Sequence, residues 1–424
     1  QHVIDTAKQL SPSQLAVVSG NGADEVVPFL QNQQIDVVMQ HEQKGTGHAV
    51  EQAKASFVNS EQVLVLYGDV PLITADTLQD LIESGDNNSL KVLTAILEDP
   101  TGYGRIVRDY DDNMLCITEE KDADEETKLI NEINTGIMCI PAKWLTEALS
   151  QLDNNNTQGE YYLTDLIAKA VNQGIEINSV TCEDEMEVAG INNRVQLAEV
   201  ESYYQQLKAT ELMMSGVTFR DPARVDIRGD IKAGQDITID INVIFEGNNT
   251  IADNVSIGAN CILINSTIHE GAEILPNSII ENAEVGTNCS VGPFARLRPG
   301  TKLAAKAKVG NFVEVKNANI GLGSKINHLS YIGDTDMGAD VNIGAGTITC
   351  NYDGANKHRT VIGDRVFVGS DTQLVAPVTV EDGATIGAGS TIRKTAPADS
   401  LTLTKSEQKT VKGWQRPIKK KNTG

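Results

Sequence analysis

The chain has 424 residues, which is too long for a single hydrophobic core, so we expect two or more domains. Hydrophobic residues make up 40% of the chain but aromatic residues only 4%, so its cores must be mainly aliphatic. The formal net charge of −23 argues against nucleic acids and anionic membranes as partners of the body of the protein.

No run of about 18 apolar residues is present, so we predict no membrane span. The six cysteines form no CxxC pair, which argues against a zinc or redox motif and indicates reduced thiols and a cytoplasmic location. The stretch from Lys405 to Lys421 holds seven basic residues against one acid, Glu407. This stretch is either a solvated tail or a strap that holds a phosphorylated ligand.

Residues 1–185 alternate short apolar runs with helical patterns, which predicts an α/β layer with a largely parallel sheet. Within it, the apolar run VLVLYGD (63–69) precedes a helix that Thr74 can cap. Residues 193–215 form one long helical pattern that ends at Gly216, and we expect this helix to connect two domains.

From about residue 225 aliphatic and aromatic residues recur every six positions, as at Ile239, Phe245 and Ile251. A hexapeptide period is the signature of a parallel β-helix, whose corners we expect to be made by Gly, Asn and Asp. Such a coil tends to associate through its flat sides, so an oligomer is expected. Breaks in the period predict loops near 263–268, 280–285 and 345–361.

Two loops of the first half are candidates for ligand binding. Asp69 follows an apolar strand, and ligands bind at the carboxyl ends of strands in open α/β sheets. Its carboxylate could hold Mg²⁺ or belong to an ordinary turn. In QHEQKGTGHA (40–49), Gly45 to Gly47 precede a helix, where exposed backbone N–H groups suit a nucleotide or phosphate. A lone GxG is a weak signal.

The stretch SKINHLSYIGD (324–334) raises a similar question for His328. A neutral imidazole near pH 7 can act as a general base. From these residues alone, a hydrogen-bonded histidine at the corner of a repeat is the more common case.

As an ordered set, the motifs resemble a bifunctional bacterial enzyme family that joins a UDP-N-acetylglucosamine pyrophosphorylase to a glucosamine-1-phosphate N-acetyltransferase. The first half carries LYGDVPL (66–72), TGYGRIVRD (101–109), TEEKDA (118–123), EINTGI (132–137) and GINNR (190–194). The second half carries RLRPG (296–300), GNFVEVKNANIGLGSK (310–325), NHLSYIGD (327–334) and NIGAGTITCNYDG (342–354). The resemblance covers essentially the whole chain, and few other hexapeptide proteins carry the last motif.

The resemblance implies four segments: an α/β nucleotidylyltransferase (Rossmann-like) domain at 1–192, a linker helix at 193–216, a left-handed parallel β-helix of hexapeptide repeats at 217–404 and a basic tail at 405–424. It implies acetyl transfer from acetyl-CoA to glucosamine-1-phosphate in the second half. Uridylyl transfer from UTP to N-acetylglucosamine-1-phosphate, with Mg²⁺ and release of diphosphate, would follow in the first half. It also implies a homotrimer with acetyl-CoA between coils and the basic tail crossing to a neighbour.

One feature of the family is absent from this sequence. The family begins with a strand and a Gly-rich loop of the form AAGxGTRM, followed by a Lys, and this loop cradles the nucleotide phosphates. The chain opens at QHVID instead. We therefore expect the chain as it stands to bind UTP poorly and to transfer uridylyl slowly or not at all, and we expect the natural protein to start upstream of Gln1.

The family's roles in the first half fall on residues of the loops quoted above. The uracil would contact Gln40, Gly45 and Thr46. The nucleotide and metal would be lined by Tyr67, Gly68 and Asp69. The sugar and ribose would contact Gly104, Glu119, Asn134 and Asn192, and the Mg²⁺ ligands would be Asp69 and Asn192. Because the sugar phosphate is already an anion, the enzyme needs no general base and must position two anions and neutralise charge at the α-phosphate.

In the second half, the resemblance makes His328 the general base that takes a proton from the 2-amine. The sugar phosphate would be clamped by Arg298 and Lys316. The sugar would also contact Tyr331, Asn342 and Lys357. Acetyl-CoA, including its acetyl group, would contact Ala345, Asn351, Tyr352, Ser370, Ala388 and Lys405. Lys405 stands where the family more often has Arg, which could weaken CoA binding, and Asn327 stands where Gly is more usual.

Two other functions remain open from the sequence. A sugar-1-phosphate nucleotidylyltransferase could use its β-helix only to form oligomers, in which case loss of His328 would affect no activity. A non-enzymatic β-helical scaffold with a vestigial α/β domain would bind no acetyl-CoA. The dense set of polar residues between 296 and 357 argues against both, since a structural coil does not need them.

Overall fold

The structure is a computed structural model that describes residues 1–33, 35–405 and 407–417. Three of the six lysines of the predicted basic tail, Lys419 to Lys421, lie outside the described residues. The chain divides into two compact units, Gln1–Tyr204 and Gln205–Gly424. No helix in the described ranges is long and apolar enough to cross a bilayer.

The first unit alternates helices with strands. Its helices, the last of which continues into the second unit, are α1 (His2–Gln9), α2 (Ala23–Gln31), α3 (Thr46–Gln52), α4 (Lys54–Phe57), α5 (Ala75–Glu83), α6 (Ala142–Ala148), α7 (Asp165–Asn172) and α8 (Arg194–Met214). Its strands are β1 (Ala16–Ser19), β2 (Asp36–Met39), β3 (Gln62–Val65), β4 (Leu90–Ile96), β5 (Gly104–Arg108), β6 (Met114–Thr118), β7 (Glu132–Pro141) and β8 (Ile177–Cys182). Thr74 caps α5 as predicted, since its hydroxyl accepts the Thr77 N–H at 3.2 Å.

The prediction of a largely parallel sheet is wrong for the main sheet of this unit. Strands β1 and β2 form a separate parallel pair. The six-stranded sheet has the order β6-β5-β7-β4-β8, with β3 also beside β7. Strand β7 runs antiparallel to β3, β4 and β5, and only β4 and β8 are parallel in this sheet. The long β7 strand sets this arrangement because it is the neighbour of three others.

Both faces of the six-stranded sheet are covered, which gives the α/β layering that the sequence predicts. On one face Leu78 and Leu81 of α5 pack with Ile133. On the other face Leu166 and Ile167 of α7 pack in a second aliphatic cluster. A sheet buried on both faces places its loops at the strand ends, where the candidate residues lie.

The second unit is a left-handed parallel β-helix with three faces. Face one consists of Val217–Phe219, Ile237–Ile239, Ser256–Ile257, Glu273–Ile274, Ser290–Val291, Lys308–Asn311, Lys325–His328, Asn342–Ile343, Phe367–Val368, Thr385–Ile386 and Leu401–Thr402. Faces two and three share the long strands Val225–Ala233 and Val243–Ile251. Face two continues with Ile262–Ile264, Ile279–Glu281, Arg296–Leu297, Glu314–Lys316, Tyr331–Gly333, Ile348–Cys350, Gln373–Val375 and Thr391–Ile392. Face three continues with Thr267–Ile268, Glu284–Val285, Lys302–Leu303, Asn319–Ile320, Thr335–Met337, Thr360–Ile362 and Val378–Val380.

Aliphatic side chains stack through the centre of the coil. Ile257 pairs with Ile239 below it and Ile274 above it, and all three are buried. The corners are made as predicted, because many Asn and Asp residues there have positive φ, among them Asn265 and Asn282 at 45°. Burial of one aliphatic residue per face in every coil provides the hydrophobic stabilisation of the unit.

The period breaks have two different structural causes. Between Ile343 and its register partner Val368, a loop at residues 351–359 leaves the coil, as predicted. At 263–268 and 280–285 the prediction of loops is wrong. There the chain makes a tighter corner at a left-handed Asn, and the aliphatic ladder continues without a loop.

Candidate active sites

The loop after β2 is held rigidly in the first unit. The Gln40 side chain donates from Nε2 to the Gly45 carbonyl at 3.2 Å. Gly45 has φ 104°, and a Cβ at this position would lie 2.6 Å from the Tyr161 carbonyl oxygen. The Tyr161 carbonyl also accepts the Gly47 N–H at 2.8 Å. Only glycine therefore fits at position 45, and the predicted uracil-binding residues Gln40, Gly45 and Thr46 are placed side by side.

Tyr67 connects this loop to the main sheet. Its ring lies against the backbone of Gly136, where a Cβ would be 2.6 Å from the ring. Burial, together with the Glu119 carboxylate, raises the pKa of Tyr67 to about 12, and a hydrogen bond with Thr46 counteracts part of the shift. The phenol therefore stays neutral at working pH and can donate a hydrogen bond. Asn134 completes the contact, since its Oδ1 accepts the Gly136 N–H at 3.0 Å.

Three of the predicted sugar-binding residues, Gly104, Glu119 and Asn134, lie together at the start of β5. Gly104 pairs with Asn134 across the sheet. A Cβ at Gly104 would lie 3.4 Å from Glu119 Oε2, so the glycine leaves space beside that carboxylate. Glu119 Oε1 accepts the Thr164 hydroxyl at 2.8 Å. Burial raises the pKa of Glu119, and the nearby Asp165 and Asp122 carboxylates add to the shift.

The two predicted metal ligands lie on neighbouring exposed loops. The Ile191 N–H donates to the Asp69 carbonyl at 2.9 Å, which brings Asn192 next to Asp69. Gly68 precedes Asp69 and is also exposed. Within the described ranges no group of three or more His, Cys, Asp or Glu side chains could hold a metal ion. One carboxylate and one amide oxygen nevertheless fit Mg²⁺, which usually binds one or two protein oxygens, substrate phosphates and water.

In the second unit, three cations come together at the far end of face two. Arg298 and Lys316 follow equivalent positions of adjacent coils, since Leu297 pairs with Val315. The Lys357 ammonium lies against Lys316 and lowers the pKa of that lysine. Arg298 donates from Nη1 to Glu314 Oε1 at 2.7 Å. Cations held this close to one another favour binding of a multiply charged anion such as a phosphate.

A buried carboxylate lies beneath these cations. Asp334 is 7% exposed and accepts hydrogen bonds from Asn317 and Asn351. Burial raises its pKa, but the two amide hydrogen bonds and the nearby Lys316 ammonium outweigh burial, so the pKa is lowered. Asn351 also donates to the Tyr331 hydroxyl at 3.4 Å, which places the predicted sugar-binding Tyr331 against the same cluster.

His328 lies at the corner before face two, on the opposite edge of that face from the three cations. Its Nδ1 is 2.9 Å from Asn311 Oδ1, one coil below. An amide oxygen can only accept, so this bond requires Nδ1–H and leaves the Nε2 lone pair available in the neutral ring. His328 is exposed, and the Tyr331 side chain lies along face two between it and the cations.

Three of the predicted acetyl-CoA residues, Ala345, Ser370 and Ala388, form a column at the same corner as His328, whereas Asn351 and Tyr352 follow the face-two strand Ile348–Cys350. A Cβ at Gly344 would meet the Ser370 N at 2.5 Å, and a Cβ at Gly369 would meet the Ala388 N at 2.5 Å, so successive coils stack tightly there. Ala345 and Asn342 flank Gly344. Lys405 is exposed just beyond the last strand of face one. Tyr352 is 61% exposed on the loop, and its hydroxyl donates to the Gly354 carbonyl at 2.6 Å.

An apolar ridge that the sequence analysis missed borders His328. Phe294, Phe312 and Leu329 occupy the same corner of three successive coils with positive φ and are 50%, 56% and 63% exposed. The rings of Phe294 and Phe312 stack at 5.3 Å. The ridge lines a groove of about 450 Å³ together with Tyr331 and Ile348. Bulky residues in this backbone region are rare, so the exposed ridge indicates a contact surface.

Relatives with curated names match almost the whole chain. It is 54% identical over 419 residues to the bifunctional protein GlmU of Cupriavidus pinatubonensis, and the aligned region covers 99% of this chain and 92% of the relative. It is 52% identical over 418 residues to the protein of the same name from Marinobacter nauticus, and 53% identical over 419 residues to that of Stutzerimonas stutzeri, with the same coverage. The chain belongs to the bifunctional GlmU family. It is therefore a glucosamine-1-phosphate N-acetyltransferase and N-acetylglucosamine-1-phosphate uridylyltransferase, as the motifs predict.

Matches to domain models agree with the two halves of a GlmU chain. Residues 1–161 match the MobA-like NTP transferase domain and residues 359–394 match the bacterial transferase hexapeptide repeats. Residues 227–325 match the GMPPB C-terminal domain. A solved structure, UDP-N-acetylglucosamine acyltransferase from Campylobacter jejuni, has a TM-score of 0.34 at 15% identity over 44% of this chain and 71% of that chain, a likeness too small to carry an argument.

Several residues around the GlmU sites were not singled out from the sequence. Tyr161 holds both sides of the Gly45 loop, and Thr164 binds Glu119, although both lie more than 40 positions from their partners. Asn311 could have been found, because it precedes His328 by one coil of the β-helix.

Proposed function

We propose that acetyl transfer takes place on face two of the β-helix, with His328 as general base and the cluster of Arg298, Lys316 and Lys357 as the phosphate site. The observation that carries this proposal is the bond between His328 Nδ1 and Asn311 Oδ1 at 2.9 Å. It orients the ring and leaves Nε2 as a proton acceptor at the edge of a face whose other edge is strongly cationic.

Acetyl-CoA is the proposed donor. His328 Nε2 takes a proton from the 2-amine of glucosamine-1-phosphate as the nitrogen forms a bond to the thioester carbonyl carbon. The tetrahedral intermediate then breaks its C–S bond, and the CoA sulfur leaves with the proton from the imidazolium. Products are N-acetylglucosamine-1-phosphate and CoA, and the ring returns to its neutral state. The cations fix the phosphate and so hold the amine in position for attack.

We propose that uridylyl transfer uses the loops of the first unit. Asp69 and Asn192 would hold Mg²⁺, which neutralises charge on the nucleotide phosphates when bound. Gln40, Gly45 and Thr46 would hold the uracil. The neutral Tyr67 would line the nucleotide, and the half-buried Glu119 and the amide of Asn134 would orient the sugar. A phosphate oxygen of N-acetylglucosamine-1-phosphate attacks the α-phosphorus of UTP and diphosphate leaves.

We further propose a homotrimer in which the ridge of Phe294, Phe312 and Leu329 is covered by a neighbouring coil. The ridge and groove border His328, so a neighbour would exclude water from the base. A cytoplasmic location is also proposed, because all six cysteines are free thiols. Equilibrium sedimentation that gave a monomer mass would contradict the trimer.

The experiment that tests the acetyl transfer site measures thiol release from acetyl-CoA with and without glucosamine-1-phosphate. His328→Ala should slow release by about 10²-fold or more, within the range for loss of a general base. The control variant His269→Ala removes a partly exposed histidine of the β-helix that is bonded to Glu284, and it should match the parent. Asp69→Ala should leave this reaction unchanged. Equal activity of parent and His328→Ala would instead favour a coil that only forms oligomers.

A further inference from the structure

The loop at 351–359 brings Lys357 to the cationic site. The loop returns on itself, with a bridge between Tyr352 and Lys357 and a bond from the His358 N–H to the Asn351 carbonyl at 2.8 Å. The chain rejoins the coil at Thr360, whose N–H donates to the Asp334 carbonyl at 3.1 Å.

The tip of the loop is closed by one carboxylate. Asp353 accepts the Ala355 N–H at 2.8 Å and the Asn356 N–H at 2.7 Å, and its other oxygen lies 2.7 Å from His358 Nε2. These hydrogen bonds, the one from the Asn356 N–H first, lower the pKa of Asp353. These contacts hold the tip of the loop in one conformation, so the position of the tip depends on how the base of the loop is attached to the coil.

The base of the loop is attached to face three by an ion pair. Arg359 donates from Nε to one carboxylate oxygen of Asp336 and from Nη2 to the other. Asn319 Nδ2 also donates to Asp336 Oδ1 at 2.7 Å, from the coil below. Asp336 lies within the strand Thr335–Met337, so it is fixed by the coil. The two-point geometry restricts the orientation of the guanidinium as well as its distance.

We propose that the Arg359–Asp336 pair positions Lys357 in the phosphate clamp for glucosamine-1-phosphate. The inference rests on the proposed function of the clamp. Lys357 and Lys316 repel each other, so an unattached loop would move Lys357 away from Lys316. The Arg359–Asp336 pair at the loop base opposes that movement and keeps the clamp in its binding geometry without a substrate. Arg359 and Asp336 are thus positioning residues and touch no substrate.

Two substitutions distinguish a positioning role of the Arg359–Asp336 pair from an effect of net charge on substrate binding. Arg359→Ala removes a positive charge near the phosphate site, whereas Asp336→Asn removes a negative one. If only net charge matters, the first should weaken binding of glucosamine-1-phosphate and the second should strengthen it. If the pair positions the loop, both should weaken it.

The assay is steady-state thiol release with each substrate varied in turn. We expect both variants to raise KM for glucosamine-1-phosphate by about two- to fivefold, the range for loss of an exposed ion pair. The KM for acetyl-CoA should not change, and kcat should stay within about twofold of the parent because the base is untouched. Arg359→Lys keeps the charge but loses the two-point contact, and it should raise KM by about twofold. This variant also serves if Arg359→Ala fails to fold.

The matched control is another exposed arginine of the β-helix that forms ion pairs with carboxylates. Arg228 contacts Asp226 and Glu246 in the first coils of the β-helix, so Arg228→Ala and Asp226→Asn should leave every constant unchanged. A KM for glucosamine-1-phosphate that is unchanged in both Arg359→Lys and Asp336→Asn, or that falls in Asp336→Asn, would overturn the inference. Absence of any thiol release that depends on glucosamine-1-phosphate in the parent would instead refute the proposed function.

Discussion

Replacing Asn311 with aspartate should shift the pH dependence of acetyl transfer by a calculable amount. Asn311 Oδ1 lies 2.9 Å from His328 Nδ1, so the new carboxylate would stand beside the imidazolium formed during the reaction. At a charge separation of about 4 Å in water-like surroundings, their attraction is about 1 kcal/mol. Since one pKa unit corresponds to about 1.36 kcal/mol, the acidic limb of the kcat profile should move up by about 0.7 pH unit.

The assay is thiol release at saturating substrates across the range from about pH 5.5 to 8.5, because kcat reports groups of the enzyme–substrate complex. Asn311→Leu should lower kcat about tenfold or more, since the ring loses the bond that selects its tautomer. Asn254→Asp adds the same charge at an exposed corner of an early coil and should leave the profile in place. A shift in Asn311→Asp no larger than in this control would refute the role assigned to Asn311.

Three further predictions concern other parts of the chain. Gly45→Ala should lower the stability of the first unit by about 1–3 kcal/mol and leave acetyl transfer unchanged, because φ of 104° and a Cβ 2.6 Å from the Tyr161 carbonyl oxygen impose strain; urea unfolding and thiol release measured on one sample check this. The ammonium of Lys357 lowers the pKa of Lys316, so affinity for glucosamine-1-phosphate should fall as pH rises through that lowered pKa. Lys357→Met should raise the pKa of Lys316, and a series of KM measurements against pH should then show the loss of affinity at higher pH. Ile326→Ala, at a fully buried rung, should destabilise the protein by about 2–5 kcal/mol in urea unfolding at fixed protein concentration, and a loss below about 1 kcal/mol would contradict its place in the core.

The β-helix could be predicted from sequence because its six-residue period is visible within a short stretch of the chain. Each inward residue, such as Ile257, recurs six positions later and again one coil later, so the pattern specifies both the strand and its neighbours. The direction of the main sheet could not be predicted in the same way. The apolar run in β7 has the same composition whether its neighbours are parallel or antiparallel, and its partners lie far away in sequence.

The residues of the candidate sites also differ in how well they could be predicted from the sequence. His328 and Lys316 were identified by family motifs, whereas their supporting residues were not. Asn311 lies one coil before His328, so the period itself contained its position. The Arg359–Asp336 pair could not be found from the period, because the loop at 351–359 interrupts it between the two residues.

The coil geometry explains why this loop is needed at the proposed phosphate site. Inward positions are occupied by the aliphatic ladder, so charged groups stand at outward positions, edges and corners, in lines with about 4.8 Å between coils. Arg298 and Lys316 form such a line, and Gly333 at the next equivalent position has no side chain. A line of cations contacts a phosphate from one side only. A third cation from another direction requires chain outside the coil, and Lys357 on its braced loop supplies it.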